Sequence, residues 1–167
     1  NGSGDGSEAY LRASLDGVRL LQTGRNLGFA AGMNAGIRAA LDGGAELIAL
    51  VNSDVVVPPG TLATLEEALA VRPALGIVGP AILSRTDPAR VASCGITFSE
   101  ASGRMRHLAA NREMSDVELP PIVEVDGLSG SIMLVRRTVF ERVGFFAEDY
   151  FFSFEDLDFC LRARAAG

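Results

Sequence analysis

Three carboxylates stand close together near the end of the chain, Glu155, Asp156 and Asp158, in a segment that is otherwise rich in phenylalanine. A charged carboxylate is costly to bury among aromatic side chains unless it is paired, hydrogen-bonded, bound to a metal or used in a reaction. The pattern therefore predicts that one of these three acids is a catalytic group.

Each of these acids also has a structural explanation. Ser153 and Asp156 fit a capping box at the start of a helix. Asp158 is placed to form an ion pair with Arg162 one turn later. Glu155 is an acid in a first helical turn, where the helix dipole favours it. The residue pattern alone leaves the catalytic and the structural explanations open.

A further acid follows a short apolar run. Residues 47–51 read Leu-Ile-Ala-Leu-Val, and Asn52 and Asp54 come directly after them. Ligands of open α/β sheets bind outside the carboxyl ends of the strands. A carboxylate beside an amide oxygen there suits a hard cation such as Mg²⁺ that grips phosphates. A simple Asx turn leading to Pro58 explains the same residues equally well.

Three further motifs have both functional and structural explanations. Residues 4–9 match the dinucleotide fingerprint G-x-G-x-x-A, but the strand that should precede it is absent from this chain. Residues 127–131 form a small-residue loop, which either lets a ligand approach the backbone or is only a tight turn. Arg136 and Arg137 either meet an anion or begin a solvated helix.

Hydrophobic periodicity and turn residues predict the elements that position these groups. We expect strands over residues 18–23, 47–51, 77–83, 91–98, 122–126 and 132–135, and helices over residues 29–41, 61–72, 137–143 and 154–166. Residues 100–118 are expected to form a mobile loop or hairpin. The alternation of strands and helices predicts an α/β fold, an open sheet with helices on both faces. The continuous apolar run at 47–51 is typical of a parallel strand that is covered on both faces.

Composition narrows the class of protein. With 167 residues, 48% of them hydrophobic and 22% charged, the chain fits one globular domain with its own core. A net charge of -6 argues against a nucleic-acid-binding protein. No apolar run approaches the roughly 20 residues that span a bilayer. Cys94 and Cys160 lack metal-type spacing, which indicates reduced thiols in a cytoplasmic protein. Because the chain begins at Asn1 rather than Met, we expect it to be a piece of a longer protein.

Three motifs follow one another along the chain. Residues 26–34 read Asn-Leu-Gly-Phe-Ala-Ala-Gly-Met-Asn, residues 50–54 read Leu-Val-Asn-Ser-Asp, and residues 127–162 contain Gly130, Arg136-Arg137 and the acidic triplet. Taken together they resemble the family 2 glycosyltransferases of the GT-A fold, in their rhamnosyltransferase-like branch. The first motif is similar to the N-x-G-F-a-x-G-x-N segment of that family, the second to the l-N-x-D form of its D-x-D motif, and the third to G-x-x-x-l-x-R-R followed by E-D-x-D-l-c-x-R.

The resemblance implies a single GT-A domain over residues 1–167, a Rossmann-like open mixed sheet that lacks the first strand of the family. Residues 1–83 would form the nucleotide-binding half and residues 84–167 the acceptor-side half. The nucleotide-sugar pocket would be formed by Asp5, Asn26, Gly28, Asn34, Asn52 and Asp54. Asp54 would ligate Mg²⁺ or Mn²⁺.

The resemblance also implies an inverting reaction. Asp156 would be the general base that takes a proton from an acceptor hydroxyl as it attacks the sugar of a nucleotide-diphosphate donor. The acceptor would be a glycan or a lipid-linked sugar, and its side of the cleft would be formed by Gly130, Arg136, Glu155 and Asp158. The aromatic residues around Asp156 would remove water from it, which raises the pKa of a carboxyl group, whereas the helix start would lower that pKa; the sequence leaves open which effect is larger.

The chain departs from the family pattern in several places. Asn52 replaces the first acid of a strict D-x-D motif, so metal binding depends heavily on Asp54, and Ala147 stands where the family has Asp. The absent first strand leaves a second hypothesis open, a non-catalytic nucleotide-sugar-binding or scaffold module. A third, an NAD(P)-dependent oxidoreductase, is supported only by residues 4–9. Peripheral association with the inner face of the cell membrane and pairing as a homodimer also stay open.

Overall fold

A computed structural model describes residues 1–167 of the chain as five α-helices, seven short strands and one turn of 3-10 helix, Met114–Asp116. The helices are α1 (Ser7–Ser14), α2 (Gly28–Asp42), α3 (Thr61–Val71), α4 (Arg137–Val143) and α5 (Glu155–Ala165). The strands are β1 (Leu47–Val51), β2 (Ile77–Val78), β3 (Ile82–Leu83), β4 (Val91–Ser93), β5 (Ile96–Ser99), β6 (Arg104–His107) and β7 (Ile132–Arg136). None of the helices is long and apolar enough to cross a membrane.

The central sheet consists of three strands in the order β1-β7-β2. β7 pairs antiparallel with both neighbours, so that Val51 lies opposite Ile132 and Val78 lies opposite Leu134. β1 and β2 therefore run in the same direction without pairing with each other. The expectation of a parallel strand covered on both faces is wrong for β1, because its partner is antiparallel and only alternate side chains of β1 are buried.

β7 is the strand around which the core is built. Its side chains alternate between two apolar clusters on opposite faces of the sheet. Met133 and Val135 pack with residues of α2, β1, α4 and α5, whereas Leu134 packs with α3 and β2. The predicted α/β fold with helices on both faces is therefore confirmed.

Two of the predicted strands are broken by turn residues. Residues 77–83 divide into β2 and β3 at Gly79 and Pro80, since proline has no N–H group with which to continue a ladder. Residues 91–98 divide into β4 and β5 near Gly95, whose φ of +116° interrupts the extended backbone. β3 then pairs with β4, and β5 pairs with β6 in the hairpin that was expected near residues 100–118.

Two other predicted strands, residues 18–23 and 122–126, do not form. Val18 and Leu21 are exposed, and no strand lies beside them to complete a ladder. α1 has no counterpart among the predicted helices, because none of its residues is buried and no apolar stripe marks it. The other four helices begin and end within one residue of the predicted bounds.

Arginine side chains close the C-terminal ends of four helices, where the last carbonyl oxygens have no partner within the helix. Arg136 donates to a carbonyl oxygen in the last turn of α3 at 2.7 Å, and Arg137 to one in the last turn of α2 at 2.6 Å. Arg162 donates to the last residue of α4 at 2.6 Å, and Arg142 to the two residues that follow α5. These contacts fasten the helices around β7.

Arg136 and Gly130, which the resemblance placed together on the acceptor side, lie at opposite ends of β7. The Arg136 guanidinium group is engaged at the C-terminal end of β7, whereas Gly130 precedes the N-terminal end of the same strand. Six residues of extended chain separate the two positions by about 20 Å. Arg136 is a helix-capping residue in this fold.

One acid of the triplet lies in the core. Glu155, the first residue of α5, is only 5% exposed, and its Oε2 atom is buried without a hydrogen-bond partner. Burial raises the pKa of the Glu155 carboxyl group above its ordinary value, and the charge of Asp156 acts in the same direction. The folded chain therefore favours the neutral form of this group.

We predict that Glu155→Gln removes a pH dependence from the free energy of unfolding. Below the ordinary pKa of the group, the carboxyl is neutral in both the folded and the unfolded chain. As the pH rises from there towards the raised pKa of the folded chain, unfolding releases a proton, so the wild-type chain loses stability and the glutamine variant does not. Urea unfolding between about pH 4 and about pH 8 measures the difference.

The matched control is Glu118→Gln, which removes an exposed carboxyl group. Its unfolding midpoint should follow that of the wild-type chain across the same pH range. Parallel curves for the wild-type chain and Glu155→Gln would contradict the burial of a neutral Glu155.

Candidate functional site

The end of β1 and the start of β7 meet at one edge of the central sheet. The Asn52 N–H donates to the Ser131 carbonyl oxygen at 2.9 Å, one step beyond the last pair of the ladder. The Val55 N–H donates to the Asn52 carbonyl oxygen at 3.2 Å, which closes the turn through the backbone. The Asp54 side chain is exposed on this turn. The antiparallel register thus brings the Asp54 turn next to the loop that contains Gly130.

A cleft of about 430 Å³ opens beside this turn. It lies between the turn, α2 and the first residues of the chain, and its lining residues are Asn1, Leu21, Thr23, Phe29, Gly32, Met33, Ala35, Val51, Asn52, Ser53 and Asp54. Small-molecule sites in proteins commonly enclose about 300–1,000 Å³. The cleft is therefore large enough for part of a nucleotide-sized ligand.

Asp156 is held on the other side of the Gly130 loop. Its Oδ2 atom accepts a hydrogen bond from the Gly130 N–H at 2.7 Å, and its Oδ1 atom accepts one from the Leu157 N–H at 2.8 Å. The carboxylate is half-buried. Since each carboxylate oxygen has two lone pairs, Asp156 keeps acceptor capacity for a further proton donor. The backbone of the loop before β7 and the backbone of α5 therefore fix the orientation of the Asp156 carboxylate.

The capping box suggested by Ser153 and Asp156 does not form. α5 begins at Glu155 without a side-chain cap, and the two residues before it, Ser153 and Phe154, have φ values of 74° and 72°. Asp156 is therefore free of the capping task and turns towards Gly130. This removes the capping box as an explanation of Asp156.

Phe29 connects the two acids. It lines the cleft that contains Asp54, and its Cε1 atom lies 3.5 Å from the position that a Cβ on Gly130 would take. The same Cβ would lie 3.3 Å from the Asp156 Cβ. Phe29 thus lies near both acids, and the absence of a side chain at Gly130 leaves room between Phe29 and Asp156.

The turn into α2 is shaped by Asn26 and Gly28. The Asn26 Oδ1 atom accepts a hydrogen bond from the Gly28 N–H at 3.0 Å. Gly28 has a φ of +85°, and a Cβ there would lie only 2.7 Å from the Phe151 carbonyl oxygen, so no larger residue fits. Asn1 supports the same turn, because its side chain donates to the Gly28 oxygen and accepts from the Leu27 N–H. Nothing in the sequence pattern singles out Asn1.

Asn34 lies beneath the surface of the site. It has no exposed surface, and its amide exchanges hydrogen bonds with the Phe146 backbone, donating at 2.9 Å and accepting at 3.1 Å. It also donates to Glu148, whose pKa is lowered by this bond and by Arg38. Asn34 thus fastens the segment that leads to α5 onto α2. Its predicted contact with a nucleotide stays a prediction.

The remaining predicted site residues have local partners. Asp5 is exposed and accepts a hydrogen bond from the Ser7 N–H at 3.1 Å, and its hydrogen bonds with Ser7 lower its pKa. Asp158 accepts from Arg162 at 2.8 Å, as the spacing predicted. With Glu155 buried and Asp158 paired, Asp156 is the acid of the triplet that is available to a ligand.

No group of three or more His, Cys, Asp or Glu side chains in the chain could hold a metal ion by itself. Asp54 and the Asn52 amide are the donors that face the cleft. Mg²⁺ in proteins is often bound by one or two carboxylates together with substrate phosphates and water. This donor set therefore fits a cation that is shared with a phosphorylated ligand, and does not form a complete protein site.

Comparison with known proteins finds several relatives, among them three that are named as sugar transferases. An N-acetylglucosaminyl-diphospho-decaprenol L-rhamnosyltransferase of Mycobacterium tuberculosis is 33% identical over 187 residues, which cover 100% of this chain and 60% of that protein. The low-salt glycan biosynthesis hexosyltransferase Agl10 of Haloferax volcanii is 28% identical over 165 residues, covering 95% of this chain and 50% of that protein. The dTDP-rhamnosyl transferase RfbF of Shigella flexneri is 29% identical over 155 residues, covering 93% and 49%.

The chain thus spans between 49% and 60% of the length of these relatives. Two of their names agree with the rhamnosyltransferase-like branch that the motifs indicate, and the α/β architecture is consistent with a GT-A domain that lacks part of its sheet. The family model described as Glycosyltransferase like family 2 matches residues 7–167. The chain belongs to this glycosyltransferase-like family 2.

Proposed function

We propose that this chain carries the reaction centre of an inverting glycosyltransferase, which moves a sugar from a nucleotide-diphosphate donor to a hydroxyl group of a glycan or lipid-linked acceptor. The observation that supports it most is the fixed Asp156 carboxylate, held by the Gly130 N–H at 2.7 Å beside the cleft of Asp54. A half-buried carboxylate that keeps free lone pairs and lies near Phe29, which lines the cleft, is suited to general base catalysis.

In the proposed reaction, the acceptor oxygen attacks C1 of the donor sugar from the side of Asp156. A bond forms between that oxygen and C1, while the bond from C1 to the diphosphate oxygen breaks and its electron pair leaves with the diphosphate. The hydroxyl proton passes to a carboxylate oxygen of Asp156. The configuration at C1 inverts, because one displacement occurs from the face opposite the leaving group.

The Asp54 turn would hold the leaving diphosphate. Asp54 and the Asn52 amide would bind Mg²⁺ or Mn²⁺ together with the phosphate oxygens, and the cation would supply charge neutralisation for the diphosphate. Phe29 would cover one side of the cleft and keep water from the space between the two acids.

The relatives' names point to the substrates that we propose. A dTDP-rhamnosyl transferase and a rhamnosyltransferase of a diphospho-decaprenol-linked sugar are both similar to this chain. We therefore propose dTDP-rhamnose as donor and a diphospholipid-linked sugar as acceptor, in the synthesis of a surface glycan. The alternative is a non-catalytic nucleotide-sugar-binding module. Such a module would bind the nucleotide sugar in the same cleft but would not transfer the sugar.

The oxidoreductase hypothesis has no support from the fold. Residues 4–9 lead into α1, whereas the dinucleotide fingerprint acts where a helix packs closely on a strand. None of the α1 residues is buried against a sheet.

We predict that nucleoside diphosphate binding requires both a divalent cation and Asp54. Isothermal titration of dTDP and of UDP, with and without Mn²⁺, should show binding only with the metal, and Asp54→Ala should weaken it by about tenfold or more, or about 1.4 kcal/mol. Asp16→Ala, which removes an exposed acid outside the cleft, should bind as the wild-type chain does. Equal binding without metal would contradict the proposed role of Asp54.

We predict that Asp156→Asn abolishes transfer while nucleotide binding persists. The asparagine oxygen can still accept the Gly130 N–H bond, the bond from the Leu157 N–H to the second oxygen is lost, and the amide cannot take a proton. Persisting nucleotide binding by the variant reports that its fold is kept. The transfer rate from dTDP-rhamnose should fall by about 10²–10⁴-fold, and Asp16→Asn should leave it unchanged. Full transfer by Asp156→Asn would exclude Asp156 as the base. Nucleotide binding without any transfer by the wild-type chain would favour the non-catalytic module.

A further inference from the structure

Three phenylalanines project into solvent next to the proposed base. Phe151, Phe152 and Phe154 are 63%, 78% and 54% exposed, and together they form what we call the acceptor platform. Single exposed apolar residues are common on protein surfaces, but a contiguous aromatic group usually marks a binding surface. The sequence suggested instead that these rings surround the acids and remove water from them. That expectation is wrong, because the rings face outwards.

The backbone under the platform is held in an unfavourable conformation. Ser153 and Phe154 both have left-handed φ values, 74° and 72°, which residues with a Cβ seldom adopt. The Phe151 carbonyl oxygen accepts a hydrogen bond from the Phe29 N–H at 3.1 Å and lies against Gly28. The fold therefore fixes the segment on α2 while it keeps the three rings outside the core.

The platform is continuous with the reaction centre. Phe154 precedes α5 directly, and two residues of chain place its Cα within about 7 Å of that of Asp156. Phe29, whose backbone binds Phe151, has its ring edge beside Gly130 and Asp156. The platform and Asp156 thus belong to one short segment, and Phe29 lies beside both ends of it.

The charges around the platform indicate the chemistry of its partner. The neighbouring acids are Glu148, Asp149 and Asp156, and Arg38, the nearby cation, is already paired with Glu148 at 3.3 Å. Such a surface disfavours an anion that lies directly on the rings, such as the diphosphate of the acceptor. A sugar ring fits it better, because the C–H groups of its face pack on aromatic rings and its hydroxyl groups donate to carboxylates.

We propose that Phe151, Phe152 and Phe154 bind the sugar ring of the acceptor, so that one hydroxyl group of that ring reaches Asp156. This inference rests on the proposed function and names the surface that positions its acceptor. It separates the two substrates in space, since the donor diphosphate would lie at the Asp54 turn and the acceptor ring on the opposite side of Phe29.

Acceptor kinetics test the platform. The probes are N-acetylglucosamine on a diphospho-lipid chain and the same sugar diphosphate on a short water-soluble alkyl chain, with dTDP-rhamnose as donor. For Phe152→Ala we expect the acceptor KM to rise about tenfold with both probes, while hydrolysis of the donor by water keeps its rate. Phe152→Trp should restore the KM. Tyr10→Ala, which removes a 71% exposed ring from α1, should change neither value.

Several results would overturn the proposal. A KM effect that is confined to the long-chain probe would mean that the platform binds the lipid chain. A change in oligomeric state by light scattering, with an unchanged KM, would assign the surface to a second copy of the chain. If Phe152→Ala changed neither the acceptor KM nor the oligomeric state, the platform would bind neither the acceptor nor a second copy of the chain.

A binding measurement separates this proposal from the proposed function. Saturation-transfer NMR with methyl N-acetylglucosaminide reports contact between aromatic protons and the sugar ring, and it does not require turnover. We expect transfer to the ring protons in the wild-type chain and its loss in Phe152→Ala. Contact in a wild-type chain that transfers no sugar would contradict the proposed enzyme while supporting the platform. Equal contact in both chains would contradict the platform.

Discussion

The hydrogen bond from the Gly130 N–H to the Asp156 carboxylate joins the start of β7 to the start of α5. Because β7 runs antiparallel to β1, its first residues also lie beside the last residues of β1, where Asn52 donates to Ser131. The Asp54 turn, the Gly130 loop and the proposed base Asp156 therefore lie at the same edge of the central sheet. Together with the bond from the Leu157 N–H, this contact sets the orientation of the Asp156 carboxylate beside the Gly130 loop.

The rest of the fold keeps that edge in register. β7 is buried on both faces between two apolar clusters, and four arginines bind the carbonyl oxygens at the ends of the helices that surround it. Arg162 joins this frame to the site, because it pairs with Asp158 and also holds the residues at the end of α4. Asn34 binds the Phe146 backbone and so holds the segment between α4 and α5 against α2. The acid triplet is thus divided into a buried group with a raised pKa, a proposed base and a structural partner.

Local patterns in the sequence were sufficient for the helices and for the apolar strand runs. Four helices and the alternation of elements follow from periodicity, and the position of Asp54 after an apolar strand follows from the general rule for open sheets. The placement of β7 between β1 and β2 could not be predicted from the residues. It depends on pairing between β1 and β7, which lie about 80 residues apart in the chain. The sequence of a short apolar strand does not indicate which other strand it will pair with.

The same limit applies to single side chains. Arg136 and Glu155 have charges that favour the surface, yet one caps a helix across the sheet and the other is buried. Phe151 and Phe152 have side chains that favour a core, yet they are exposed. In each case, contacts with residues that are distant in sequence decide whether the side chain is buried or exposed. Local residue preferences carry no information about such contacts. The resemblance to a family supplied the roles of Asp54 and Asp156, whereas the structure supplied the contact that orients Asp156.

In the proposed reaction, Asp54 and Asp156 act on opposite sides of one donor sugar. A crystal structure of the chain with Mn²⁺ and a dTDP-sugar analogue that has a carbon atom in place of the glycosidic oxygen would show whether they do. We expect the diphosphate to lie at the Asn52 to Asp54 turn, C1 to face Asp156, and the bond from Gly130 to Asp156 to be kept. A diphosphate bound elsewhere, or a C1 atom turned away from Asp156, would contradict the proposed reaction.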